Sequence, residues 1–226
     1  MYTLYIANKN YSSWSLRPWV LMREASIPFA EKLVPFPSDG AHGKFREFSP
    51  TGRVPCLVDG GTTVWDSLAI TEFLAERVPS VWPGDGAARA WARCAAAEMH
   101  SGFSELRNAC GMNCGVRIRI AAFSPAVLAD WERIDELWCD GLGRFGGPYL
   151  AGHRFTAADA FFAPVAFRIQ TYSPALSARA AAYAKTLLEL DSMQTWYKAA
   201  LAEPWRDEPH EQEARSVGVW LADLRR

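Results

Sequence analysis

The chain has 226 residues, half of them hydrophobic and 22% charged, with a formal net charge of −1. That is enough apolar material for one large or two small globular cores, and without a Lys/Arg-rich stripe nucleic acid is set aside as a partner. No stretch approaches the roughly 20 apolar residues of a membrane span, and Met1–Ile6 lacks the basic start and long apolar run expected of a secretory signal.

Tyr2, Leu4 and Ile6 alternate with Thr3, Tyr5 and Ala7, a strand pattern. Ser15 to Ala25 reads as a helix, with Leu16, Trp19, Val20 and Arg23 at helical spacing; Pro18 is expected in its first turn, where proline is tolerated. Ile27-Pro28 breaks it, and Phe29 to Val34 is a second strand. A loop rich in Pro, Gly and Ser, Pro35 to Gly43, leads to a short helix near Lys44 to Phe48. Cys56 to Trp65 is a hairpin turning at Asp59-Gly60-Gly61. Ser67 to Arg77 is a helix that Ser67 can cap. The order is β-α-β-α-β-β-α: one right-handed crossover unit with an antiparallel hairpin at its edge.

The segment VPSVWPGDG, Val78 to Gly86, holds two prolines and two glycines and marks a linker. The expected division is an αβ domain over 1–79, a linker over 80–86 and an all-helical domain over 87–226. Trp91, Ala95, Met99, Phe103, Leu106 and Cys110 step by three or four. Ser124-Pro125 is a cap followed by proline at the first helical position. Thr156-Ala157-Ala158-Asp159 and Asp191-Ser192-Met193-Gln194 read as capping boxes before apolar runs. The mixed-charge end, Arg215 to Arg226, carries Val217, Val219, Trp220 and Leu221 and should dock. The five cysteines include no CxxC pair, so free thiols in a reducing cytoplasm are expected. Cys110 and Cys114, four apart on an expected helix, have no adjacent further ligands to make a metal site.

Four motifs in order carry a resemblance: Tyr11-Ser12-Ser13-Trp14-Ser15-Leu16-Arg17, Gly52-Arg53-Val54-Pro55, Asp66-Ser67-Leu68-Ala69-Ile70, and Thr156-Ala157-Ala158-Asp159. A thioredoxin-like first domain with Val-Pro before its third strand, followed by a helical domain, resembles the glutathione S-transferase family. The first motif is most similar to the Ser-Ser-Cys pattern of the serine-type, zeta-like branch, which includes maleylacetoacetate isomerases, but Trp14 stands where that branch has cysteine. The resemblance implies glutathione as co-substrate, no metal, a small hydrophobic electrophile as second substrate, a detoxifying conjugation and a homodimer. Alternatives on the same fold are a non-catalytic glutathione-binding or interaction protein and a glutathione-dependent isomerase. A thioredoxin-like disulfide reductase would need a cysteine where Ser12, Ser13 and Trp14 stand.

On the matching positions, the resemblance makes Ser12, with Ser13 second, the hydroxyl that hydrogen-bonds the glutathione sulfur. Tyr11 is a rival, since other branches use a tyrosine; a serine before a helix is otherwise simply a cap. Trp14 and Arg17 lie at the mouth of the same site. Val54 and Pro55 would form a cis junction whose backbone pairs with the cysteinyl residue of glutathione. Asp66 would meet the γ-glutamyl ammonium and Ser67 the carboxylate at a helix N-terminus. Among His42, Lys44 and Arg53, Lys44 is the favoured partner of the glycyl carboxylate. Trp91, Met99, Phe103, Met112 and Arg117 or Arg119 are candidates for the second-substrate wall, though apolar stripes on helices are usually core. Asp159 is expected to cap, not to catalyse.

Overall fold

The structure, a computed structural model, describes residues 1–36 and 42–226; the middle of the expected Pro35–Gly43 loop and the side chain of His42 lie outside them. The N-terminal unit is a four-stranded sheet in the order β2-β1-β3-β4. β1 (Tyr2–Ile6) pairs parallel with β2 (Phe29–Leu33), and antiparallel with β3 (Cys56–Asp59), which turns back into β4 (Thr62–Val64). α1 (Ser13–Glu24) crosses over between β1 and β2, a 3-10 turn (His42–Glu47) fills the second helical position, and α2 (Ser67–Ala75) closes the unit. This is the thioredoxin-like plan expected from the alternation and the Asp-Gly-Gly turn.

α1 begins two residues earlier than the spacing predicts, and Pro18 therefore lies in its second turn. There it lacks the N–H that would have bonded the Trp14 carbonyl. The helix keeps going because one whole side of it is buried: Leu16, Trp19, Val20 and Met22 are all at most 1% exposed, and tertiary packing outweighs the local cost.

The rest is helical: α3 (Gly86–Ser101), α4 (Ser104–Ala109), α5 (Pro125–Phe145), α6 (Ala157–Tyr172), α7 (Ala178–Glu189), α8 (Asp191–Ala202) and α9 (Glu208–Ser216). Two short strands, β5 (Val116–Arg119) and β6 (Val219–Asp223), form an antiparallel ribbon that the periodicity did not announce. The expected docking of the C-terminus is this ribbon. It also means that Cys110 and Cys114 share no helix: Cys110 ends α4, and Cys114 lies in the turn before β5. α6 is the axis of the domain and is apolar nearly all round, with Ala157 to Arg168 buried without interruption. α5 presents Gly141 where a Cβ would stand 2.4 Å from the Trp91 ring and 2.6 Å from the Leu150 carbonyl, so only glycine permits that approach.

Capping follows the sequence at some ends and departs from it at others. The Val127 N–H donates to the Ser124 Oγ at the start of α5. Leu190, and not Asp191, stands before α8, and Gln194 donates instead to the Leu188 carbonyl, so the second expected capping box is absent. Asp66, and not Ser67, caps α2: its Oδ1 accepts from the Leu68 and Ala69 N–H groups. The carboxylate offers a better acceptor for those free N–H groups than the hydroxyl does.

One apolar core runs through both units. Across their seam the Lys9 N–H donates to Glu203 Oε1 at 2.6 Å, the Asn10 N–H to Glu203 Oε2, and Trp196 Nε1 to the Lys9 carbonyl. The segment after β1 is thus fixed from the helical side, which sets where α1 starts.

Candidate functional site

Ser12 is the residue before α1, and its carbonyl accepts from the Leu16 N–H. Its side chain does not cap the helix; its Oγ lies 2.7 Å from Ser15 Oγ, which also accepts from the Ala7 N–H. The N-terminal N–H groups of α1 are therefore left to other partners, and the positive end of the helix dipole points where Ser12 and Ser13 stand. Ser12 is buried and Ser13 is half-buried, and both line a cavity of about 290 Å³.

Val54 lines the same cavity, and the Val54–Pro55 bond is cis, as expected. Gly52, at φ +66°, makes the turn into this segment, and Val54 lies just outside the register that pairs Cys56 with Tyr5. A second cavity of about 750 Å³ adjoins the first, sharing Trp14, Arg53, Val54 and Arg107. Pro55, Trp65 and Asp66 line its far end. Ser67, expected at that end, lines neither cavity: its hydroxyl is fully buried and has no hydrogen-bond partner among the described residues. Together the two cavities run from the start of α2, past Val54, to the start of α1.

The remaining expected residues fall unevenly. Trp14 lines both cavities. Lys44 is exposed on the 3-10 turn and lines neither; Arg53 lines both, so it is the nearer of the two cations to the groove. Arg17 is not at the mouth: it is 2% exposed, with its guanidinium carbon 4.1 Å from the centre of the Trp14 ring, because its stem leaves the buried side of α1. Tyr11 lines the first cavity but its hydroxyl is committed, donating to Glu211 Oε1 at 2.7 Å, with Arg225 at 3.1 Å. Burial, followed by the Glu211 hydrogen bond, pushes the Tyr11 phenol far above its ordinary range. A tyrosine so tied is a poor donor to a thiolate.

The helical side of the first cavity was largely missed. Met112 is the one expected wall residue that lines it; Arg117 and Arg119 lie in β5, and Arg117 bonds the Cys114 and Val116 carbonyls and Tyr197. Arg107, Arg168 and His210 stand there instead. A signal for Arg168 existed, as the single charge in the apolar run Phe161 to Ile169. His210 pairs with Asp207, stacks on Tyr11 and meets Phe36 at a tilt, each ring 5.2 Å away. Its position depends on how α9 folds back, which no local pattern encodes. His100 lies edge-on to Trp14 with Nε2 3.5 Å from Asp66; burial, with help from Arg17 and Arg107, holds its pKa below the usual imidazole value despite Asp66.

Residues 11–77 match the family model described as "Glutathione S-transferase, N-terminal domain". Among curated proteins, the chain is 41% identical over 69 residues to a dichloromethane dehalogenase of Methylorubrum extorquens, covering 29% of this chain and 24% of that protein. It is 33% identical over 107 residues to a protein of Caenorhabditis elegans named a probable maleylacetoacetate isomerase, covering 46% of this chain and 49% of that one. The matched segments thus span from a quarter to half the length of these relatives. Among solved structures, a Burkholderia glutathione transferase homologue with bound glutathione superposes over 88% of this chain and 97% of its own, with TM-score 0.67 and 24% identity. A Trametes versicolor glutathione transferase, Omega 3C, does so over 86% and 88%, with TM-score 0.66 and 20% identity. The chain therefore has a glutathione S-transferase-like fold, and its N-terminal third matches the N-terminal domain of that family.

Proposed function

We propose that this protein is a glutathione transferase that binds glutathione along the two adjoining cavities and ionises its thiol at the start of α1. The observation that carries the reading is the alignment of three features in one groove: Asp66 at the N-terminus of α2, the cis Val54–Pro55 junction, and the Ser12–Ser13 pair at the N-terminus of α1. The γ-glutamyl carboxylate is held by the backbone at the start of α2, and its ammonium by Asp66. The cysteinyl backbone pairs with Val54 in strand fashion, and Arg53 takes the glycyl carboxylate in place of Lys44.

A free thiol with a pKa of about 8.5 is only slightly ionised at neutral pH. Lowering it by ~2 units takes ~2.7 kcal/mol of preferential thiolate binding, within reach of one hydroxyl donor plus a helix dipole. The Ser12 hydroxyl donates to Ser15 Oγ at 2.7 Å. When glutathione binds, that hydroxyl rotates from Ser15 to donate to the sulfur. Ser13, at the first helical position, is the second donor. The thiolate then attacks an electrophilic carbon, the carbon–sulfur bond forms, the leaving group departs with its electron pair, and the thiol proton goes to solvent. The five free cysteines suit a reducing, cytoplasmic setting, and a homodimer is part of the reading that light scattering would check.

The test uses the purified chain. It should be retained on immobilised glutathione and should conjugate glutathione to a chloronitrobenzene. Ser12→Ala should lower turnover by about 10- to 100-fold, the size of one hydrogen bond to a charged group, with a much smaller change in glutathione affinity. Unchanged turnover would remove Ser12 from the chemistry, and failure to bind glutathione at all would remove the function.

A further inference from the structure

Three arginines meet behind Trp14. Arg17 and Arg107 lie 4.1 Å and 4.5 Å from the Trp14 ring, and Arg17 also lies 4.9 Å from Phe161. Arg168 reaches the same place from α6. Their hydrogen bonds go only to neutral carbonyls: Arg17 to Met99, Arg107 to His100 and Gly102, Arg168 to Cys110. No carboxylate lies within ion-pair distance of any of them among the described residues. Arg168 is 3% exposed, and among the described residues its Nη1 has no partner, nor have Nε and Nη1 of Arg17.

Two other guanidinium groups are treated differently. Arg225, with a side chain only 1% exposed, holds both Glu211 and Asp223, and Arg133 holds Glu98 and Glu136. A buried charge without a counter-ion is costly, and two neighbours of the same sign add to that cost. Burial draws the Arg168 pKa down to about 10, with Arg107 acting in the same direction. Two of the three, Arg107 and Arg168, line the cavity that also contains Ser12 and Ser13. The carboxylate on the facing wall, Glu213, is exposed on α9 and pairs with none of them.

We propose that the second substrate of this site is an anionic electrophile, whose carboxylate is held by Arg168 and Arg107 while its reactive carbon faces the sulfur at Ser12 and Ser13. This rests on the glutathione transferase reading and replaces the expected neutral, hydrophobic partner with a charged one. The carboxylate supplies the counter-charge that Arg168 and Arg107 lack among the described residues. Arg17, behind Trp14, does not touch the substrate; it adds to the positive potential.

The test compares two isosteric aromatics, 4-chloro-3-nitrobenzoate and 4-chloro-3-nitrobenzamide. In each, the glutathione thiolate displaces chloride from the ring carbon. Glutathione binding is measured first by calorimetry, so that failure of the transferase reading is seen separately. Relative to their uncatalysed rates, the benzoate should be favoured in kcat/KM by about tenfold or more, the size of one charge-assisted contact, and added salt should shrink the preference. Arg168→Gln should bring the ratio to near unity; Arg107→Gln, at a half-buried position, is the second variant should the first not fold. Calorimetry with 3-nitrobenzoate against 3-nitrobenzamide on the glutathione-saturated protein reads the same preference if neither aromatic turns over. A protein that binds glutathione but shows no preference for the anion, or keeps it in both variants, overturns the proposal.

Discussion

Asp159 and Arg168 lie on the same helix, α6, and both are buried, yet they are treated in opposite ways. Asp159 is fully served. Its Oδ1 accepts from the Leu150 N–H at 2.9 Å and the Tyr183 hydroxyl at 2.7 Å, and its Oδ2 from the N–H and hydroxyl of Thr156. Arg168 donates from Nε to one carbonyl and, among the described residues, leaves Nη1 without a partner. A buried polar group with every bond made is a structural device; one left half-made at the wall of a cavity is held ready for something else. The first end of α6 fixes a turn, and the second faces the site.

Mutation separates the two most sharply by stability. Asp159→Ala leaves four donors without their acceptor inside the core, and a loss of about 3–4 kcal/mol is expected in denaturant unfolding. Arg168→Met should move stability by no more than about 1 kcal/mol, or raise it, since apolar replacement of a buried charge is often neutral or favourable. A large loss for Arg168→Met would make it structural like Asp159 and break the contrast.

Glu211 provides an intermediate case, buried but paired, and closes the C-terminal ribbon over Tyr11. Glu211→Ala leaves Arg225 with Asp223 alone and should cost roughly 3 kcal/mol. Burial works to raise the Glu211 pKa, but hydrogen bonds from Arg225 and Tyr11 outweigh it, and the net shift is downward from 4.5. A lowered folded-state value means its contribution is whole above the ordinary value and lost as pH falls through the depressed one. The stability gap between the wild type and Glu211→Gln should therefore narrow on acidification below that range, as thermal unfolding at a series of pH values would show. The smallest effect concerns the thiols. Burial holds Cys56 up at about 11 and Cys110 at about 12, while Cys94 is exposed. An aromatic disulfide reagent should modify Cys94 readily in the folded protein and these two only after unfolding; prompt labelling of Cys110 would show that α4 is looser than its packing implies.

The sheet was legible because its signals are local: alternation in Tyr2–Ile6, and Asp59-Gly60-Gly61 between two apolar strands. The start of α6 was equally legible, since Thr156 and Asp159 are three residues apart. The groove side of the site could be read from Ser12, Ser13, Val54, Pro55 and Asp66 because each sits at an element boundary, where residue type and backbone geometry are tied together. Lys44 failed because proximity along the chain does not fix which way a side chain on a 3-10 turn points. Arg17 failed because an arginine at helical spacing can face either side, and here the Trp14 ring holds it inward. The β5–β6 ribbon pairs segments about a hundred residues apart, and His210 reaches the cavity only through that return of the chain; neither leaves a periodic trace.

The central claim is that the groove converts bound glutathione from thiol to thiolate. Ultraviolet thiolate absorbance of the glutathione complex, followed through a pH titration, tests it directly. The account predicts ionisation about 2 units below the free-thiol value of about 8.5, with most of that displacement gone in the Ser12→Ala, Ser13→Ala double variant. Bound glutathione that titrates like the free tripeptide would contradict it.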